Sequence, residues 1–365
     1  MSIPVISVTE LYHPHQDVGD NLDLVTGYGL PEVDLRGVVL DCTETFRQPV
    51  AGSFLTTALW ADDHGPRDAG IIPVSQLNYI FDRNVPYGMG PFSQMQSPDD
   101  PMTDAPRFQQ TGIELILDEL SKADKPLHIL SFGSARAIAA AYNRAPHLFA
   151  AGCAVIELCA GSPSGEFLEW NVALDPNAIV CLLRAPIPVN IYPDAAETTP
   201  FGLSTGNTFY RLPDLLFVNQ MEPRLRRYMK FALGRVCRSD FLRALDYDWD
   251  CDEADQRLVN PHNVWETQVW MRASGRVLAR APGGYWRILP LADVGEEHEV
   301  FGDRLAPCEV QVADDGRYRL TRLPPDQAAR ANKWCYERDD PLAQEAAFGE
   351  AVPALYLSYG RDDAH

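Results

Sequence analysis

Apolar and polar positions change their period along this chain, and the changes predict its elements. Residues 3–11 form a short apolar, β-branched run that predicts a first strand. The polar stretch 13–21 follows, then residues 22–29 read as a helix stopped at Gly29-Leu30-Pro31, and 33–40 as the next strand. Strand, loop, helix and strand in this order form a βαβ unit, which implies a parallel sheet buried by helices. The pattern repeats. Ile113, Leu115, Ile116 and Leu120 share one helical face between 111 and 121. Residues 127–131 predict a strand, Gly133-Ser134 opens an Ala-rich helix over 135–144, and 148–158 predict another strand. Asp175-Pro176 starts a helix with proline in its first turn, and 187–192 read as a further strand. Residues 87–106, rich in Pro, Gly, Met and Asp, predict a long loop.

From about Arg276 the period shortens to two. Arg276-Val-Leu-Ala-Arg280, Tyr285-Trp-Arg-Ile-Leu289, Glu309-Val-Gln-Val312 and Tyr318-Arg-Leu-Thr321 alternate like antiparallel strands, and Asp314-Asp315-Gly316 is a hairpin-turn signal. A helix over 326–336 and a last strand near 354–359 are expected to close the chain. The predicted fold is therefore α/β: a mainly parallel twisted sheet flanked by helices in a domain of residues 1–275, with a β-rich C-terminal extension of residues 276–365 packed on it.

Composition narrows the functions available. Of 365 residues, 46% are hydrophobic and 22% charged, an ordinary globular balance that excludes a disordered tail, a collagenous rod and a coiled coil. The formal net charge of −20 repels a phosphate backbone, so nucleic acid is not expected as a macromolecular partner. A single pocket for a small nucleoside escapes that average. The first residues carry no basic, apolar leader, and no stretch approaches the roughly 20 apolar residues of a membrane span, so a cytoplasmic location and no membrane partner are expected. Eight cysteines, at 42, 153, 159, 181, 237, 251, 308 and 335, show no CxxC pair and predict free thiols in a reducing compartment.

The acidic loop after the first strand is the sharpest chemical feature. Asp17, Asp20 and Asp23, with Asn21 among them, fall at the carboxyl end of strand one, where open α/β sheets place their sites. Oxygen ligands converging there suit a hard cation such as Ca²⁺ or Mg²⁺; the competing reading is a helix cap with solvated neighbours. Other motifs fail. No Gly-x-x-x-x-Gly-Lys-Ser/Thr is present, Gly161-Ser-Pro-Ser-Gly165 is not a nucleophile elbow, and Asp246-Tyr-Asp-Trp-Asp-Cys-Asp252 lacks the glycine and glutamate of a calcium loop.

Several segments, in order, resemble the inosine–uridine-preferring nucleoside hydrolases. His15-Gln-Asp-Val-Gly-Asp-Asn-Leu-Asp-Leu24 and Leu30-Pro-Glu-Val-Asp-Leu-Arg-Gly-Val-Val39 resemble the opening of that family, Leu130-Ser-Phe-Gly-Ser-Ala-Arg136 its central turn, and Glu169-Trp-Asn-Val-Ala-Leu-Asp-Pro-Asn-Ala178 its Glu-Phe-Asn motif. The resemblance spans about residues 3–275. It implies that Asp20 is a calcium ligand, with Gly19 at the position of its acidic neighbour. It further implies that Asp17, rather than His15, is both ligand and water activator, since only a carboxylate does both jobs at neutral pH. The backbone oxygen of Arg136 would touch the metal, and Glu169 and Asn171 would hold ribose hydroxyls. In Pro261-His-Asn-Val-Trp-Glu266, His262 would protonate the leaving base and Asn263 would stand where the family has an acidic ligand. Trp170, Tyr87 and Phe92 are candidates to stack on a base. The implied reaction is hydrolysis of a ribosyl N-glycosidic bond by a homo-oligomer using Ca²⁺. The alternatives are a non-catalytic nucleoside- or ribose-binding protein, its ligands altered at Gly19, Arg136 and Asn263, or a hydrolase that grips an anionic ribosyl compound through Arg136.

Overall fold

The computed structural model describes residues 2–15, 17–44 and 67–360. One nine-stranded sheet organises them. Its strands are β1 (Ile3–Thr9), β2 (Val33–Leu40), β3 (Tyr87–Met89), β4 (Leu127–Phe132), β5 (Cys153–Cys159), β6 (Val189–Tyr192), β7 (Asp303–Val312), β8 (Tyr318–Arg322) and β9 (Lys333–Arg338). They lie in the order β8-β7-β9-β6-β5-β4-β1-β2-β3. Every pairing from β9 to β3 is parallel, while β7 runs antiparallel to both β9 and β8.

The central strand β1 is buried on both faces, which is why apolar residues face both sides of it, Val5 in one core and Ile6 and Val8 in the other. One face packs on helices Val18–Gly29, Pro223–Leu233, Thr267–Ser274 and Pro341–Ser358, with Trp270 fully buried among them. The other packs on helices Thr111–Lys122, Arg136–Arg144 and Pro176–Arg184, where Ile113, Ile116, Ile138 and Ile179 are all buried. Each such side chain contributes about 1.5–3 kcal/mol by leaving water. Among the described residues no helix is long and apolar enough to cross a membrane.

The alternating tail strands extend the principal sheet. Lys333, Trp334 and Cys335 pair with Val189, Asn190 and Ile191 of β6, so hydrogen bonding is continuous from the first strand to the last. The predicted turn at Asp314-Asp315-Gly316 joins β7 to β8, with Gly316 in the left-handed region at φ 80° and the Ala313 N–H donating to the Arg317 carbonyl at 2.8 Å. A separate three-stranded sheet holds Arg276–Arg280 between Arg287–Pro290 and Glu299–Val300.

Three expected elements are replaced. Residues 148–152 belong to a helix, Pro146–Gly152, with proline in its first turn, and β5 begins only at Cys153; a short apolar run fits either element by pattern alone. The expected helix over 326–336 is a 3-10 turn, Pro325–Arg330, followed by β9, whose Trp334 and Tyr336 suit a pleated surface. The expected last strand lies inside helix Pro341–Ser358. Asp340 caps that helix, accepting from the Leu342 and Ala343 amides at 3.1 and 3.0 Å, and Pro353 sits within it despite its missing N–H.

Candidate active site

The register of the parallel strands decides where chemistry can gather. Thr9 stands opposite Leu40 and Phe132, and Cys159 opposite Tyr192, so the carboxyl ends of β1, β2, β4, β5 and β6 form one edge. Glu10 is the first residue beyond β1, and Asp194 lies just past β6. The loop after β5 returns Glu169, Trp170 and Asn171 to the same edge. These five residues line a cleft together with Asp17, Asp20, Pro200, Trp265 and Glu266. It contains about 500 Å³ of unfilled space, part of it open to solvent.

Local structure fixes each side chain. Asp17 caps helix Val18–Gly29, its Oδ1 accepting from the Gly19 amide at 2.7 Å, and remains about one-third exposed. Its Oδ1 is 3.7 Å from His262 Nε2. Glu10 accepts from the Trp170 indole N–H with both oxygens, at 2.8 and 3.0 Å. Glu169 caps helix Trp170–Leu174 and accepts from the amides of Asn171 and Gly161 at 2.8 Å each, and of Val172 at 3.3 Å. Asn171 donates to the Cys159 carbonyl and to Asp194 Oδ2, both at 3.0 Å, which leaves its own buried Oδ1 without a donor. The Cys159 thiol donates to the other oxygen of Asp194 at 2.8 Å.

So many buried carboxylates oppose one another's charge. Burial raises Glu10 well above the ordinary carboxylate range; the Trp170 N–H lowers it in part, and Asp41, Glu169 and Asp17 raise it further. Asp20 is driven up by burial and then by Glu10, Asp17 and Glu266. Asp194 rises by burial and by Glu169 and Glu266. For Glu169 burial outweighs the amide donors, and the group is pushed up to about 7. Asp23, wholly buried behind the cleft, has no N–H or O–H donor; burial and the neighbouring Glu266 raise it, and burial raises Glu266 as well. Burial holds His262 below its ordinary value, against the opposing pull of Asp17, and the ring is neutral at pH 7.

The lining contains no lysine or arginine. Oxygen donors with excess negative charge fit a hard cation, which would neutralise what protons otherwise must. The donors are not drawn together in advance: among the described residues no three His, Cys, Asp or Glu side chains converge as a metal-holding group.

Of the residues singled out in the sequence, Asp17, Asp20, Glu169, Trp170 and Asn171 share the cleft. Others stand elsewhere. Arg136 is fully buried on the far side of β4. Its guanidinium is committed to Asp175 at 2.7 Å and to the carbonyls of Pro91, Phe92 and Leu174 at 2.7, 3.2 and 3.0 Å. Four of its five N–H donors are engaged there, and the side chain does not line the cleft. Asn263 accepts from Arg211 Nε at 3.1 Å across the pair of short strands His262–Val264 and Tyr210–Leu212, and does not line the cleft; the acidic group that does is Glu266, three residues on. His262 does not line the cleft but lies 3.7 Å from Asp17, and His15 borders a different cavity with Tyr12 and Asn21. Tyr87 is exposed on edge strand β3, and the Phe92 carbonyl is bound to Arg136, so neither faces a ligand in the cleft. Glu10, Asp194, Trp265 and Glu266 are additions. Position at a strand's carboxyl end was available in the sequence for the first two; only the three-dimensional fold brings in the others.

Solved structures share this architecture. A purine-preferring ribonucleoside hydrolase from Gardnerella vaginalis superposes with TM-score 0.52 at 14% identity, covering 97% of this chain and 99% of its own. A plant nucleoside hydrolase gives 0.53 at 11% identity, covering 97% and 100%. An effector protein gives 0.50 at 14%, covering 98% and 94%. At such identities the likeness establishes the fold: this chain has the α/β nucleoside-hydrolase fold, with extra antiparallel strands at its C-terminus. No protein-family model matches the chain, and no curated protein matches it.

Proposed function

We propose that the protein cleaves the N-glycosidic bond of a ribonucleoside or related ribosyl compound in the carboxylate-lined cleft. The observation that carries this reading is the meeting of Asp17 and Asp20 with Glu169 and Asn171 in one cleft at the carboxyl edge of a sheet shared with nucleoside hydrolases. Glycosidic cleavage passes through an oxocarbenium-like sugar, and carboxylates favour the positive charge that develops on the ring. Asn171 Oδ1, buried without a donor, is ready to accept from a sugar hydroxyl, and Glu169, held by three amides, offers a fixed second acceptor. Asp17 keeps access to solvent and is placed to take a proton from an attacking water. His262, next to it, is the group within reach of that proton. Trp170 and Trp265 supply apolar walls for the leaving base. A Ca²⁺ ion held by Asp17 and Asp20, with Glu10 and Glu266 nearby, would supply Lewis acidity toward a water. A homo-oligomeric enzyme of the cytoplasm completes the reading, the buried free thiols being its support in the second respect.

A second reading, a nucleoside- or ribose-binding protein without turnover, draws on the absence of a converged metal group among the described residues and on the uncharged Asn263. Incubation with Ca²⁺ and a panel of purine and pyrimidine nucleosides, with free ribose as readout, separates them. Hydrolysis is expected, and it should be lost in Asp17→Asn. Tight nucleoside binding with no ribose released would establish the binder instead.

A further inference from the structure

We propose that Tyr318, on the C-terminal hairpin of β7 and β8, is a positioning residue for the cleft: through Ala160 and Gly161 it sets Glu169 and the Asp194 segment in place. The inference rests on the reading of the cleft as a ribosyl site and gives the extension a part in it.

Tyr318 is fully buried, and its hydroxyl donates to the Ala160 carbonyl at 2.5 Å. Its ring lies so close to Gly161 that a Cβ there would collide with it, and Gly161 takes a φ of 90°, a conformation suited to glycine. Gly161 then acts in two directions. Its N–H donates to Glu169 Oε2 at 2.8 Å, and its carbonyl accepts from the Ala195 amide at 3.0 Å, one residue from Asp194. The hairpin touches the same segment at two further points. A Cβ on Gly165 would meet the Tyr318 carbonyl at 2.6 Å, and one on Gly316, at the turn, would meet Val172 and Pro176 at 2.8 and 3.0 Å. The loop that carries Glu169, Trp170 and Asn171 therefore rests on the extension along its length.

The geometry also explains why the contact is informative. A carboxylate fixed by backbone amides depends on where those amides stand, and an amide that recedes stabilises the charged form less. Glu169 is held near 7 by a balance of burial against backbone amide donors, Gly161 among them. Removing the Tyr318 hydroxyl leaves the Ala160 carbonyl without its donor and frees Gly161 to shift.

The test compares wild type, Tyr318→Phe and, as a control on the same hairpin, Arg319→Ala. Binding of inosine and uridine to the full-length protein is followed by calorimetry. Carbon-13 NMR of the glutamate carboxyls, with the Glu169 signal assigned through Glu169→Gln, is followed against pH. In Tyr318→Phe the nucleoside Kd should rise about tenfold and the Glu169 midpoint should move upward, while Arg319→Ala changes neither. A folded Tyr318→Phe with the wild-type Glu169 midpoint and unchanged Kd overturns the proposal. Should wild type bind no nucleoside, the ribosyl reading fails, and the Glu169 midpoint alone decides the positioning claim. If Tyr318→Phe does not fold, Gly161→Ala, which presses on the tyrosine ring from the other side, takes its place with the same expected and contrary results.

Discussion

The Trp170 indole N–H is shared by both carboxylate oxygens of Glu10, at 2.8 and 3.0 Å, with both residues buried. This bond ties the end of β1 to the segment bearing Glu169 and Asn171, two parts of the cleft separated by more of the chain than any local motif spans. It also supplies donor stabilisation to a carboxylate that burial and three acidic neighbours oppose.

Trp170→Phe should therefore destabilise the protein by about 1–3 kcal/mol at pH 7 through Glu10 alone, the cost of leaving a buried polar group unpaired. That part is larger for the charged form than for the neutral one. It should shrink near pH 3, where Glu10 is protonated in both states, leaving mainly the pH-independent loss of packing. Urea unfolding at the two pH values measures the difference.

Stability without cations should fall as pH rises. Glu10, Asp20, Asp23 and Asp194 all titrate above their ordinary values in the folded state, so the native protein binds more protons than the unfolded chain once pH exceeds about 4. For Glu169 the contribution is lost as pH rises toward about 7. Thermal melts in a chelator should show Tm declining between pH 4.5 and 7. Added Ca²⁺ should restore Tm chiefly at the upper end, where the carboxylates are charged.

Arg136→Met should cost about 3–5 kcal/mol, because it leaves Asp175 as a buried charge without its cation. It should not alter discrimination between neutral and anionic ribosyl ligands in the fraction that remains folded. A parallel measurement of unfolding midpoint and of ligand Kd checks both halves.

Asn171→Ala removes the unpartnered Oδ1 and the donor to Asp194 together. The Kd for a nucleoside should rise about tenfold, the worth of one hydrogen bond. The loss should be much smaller for a ligand whose ribose hydroxyls are absent, which titration of the free base tests.

Much of this architecture was legible in the sequence. Buried parallel strands betray themselves as apolar runs, and Asp175-Pro176, Gly29 and Asp314-Asp315-Gly316 act locally as cap, stop and turn. The acidic loop was legible as carboxylates clustered after the first strand, whereas the Glu-Trp-Asn segment was legible only through its resemblance to a family motif. Tertiary context hid the rest. Helix Pro341–Ser358 tolerates Pro353 because packing, rather than propensity, holds it. Arg136 read as a ligand-facing cation since sequence does not show that Asp175 lies against its guanidinium. Glu266 was not legible because the two residues separating it from Asn263 include the end of a strand, and the chain turns there toward the cleft.

The most direct measurement is a crystal structure grown in calcium and soaked with a nucleoside in the Asp17→Asn variant, which should slow turnover. A pentose is expected in the cleft, its hydroxyls within hydrogen-bonding distance of Glu169 and Asn171 and its anomeric carbon facing residue 17. A cleft left empty beside a ligand bound elsewhere, or side chains at 20 and 169 too far apart to hold one sugar between them, would contradict it.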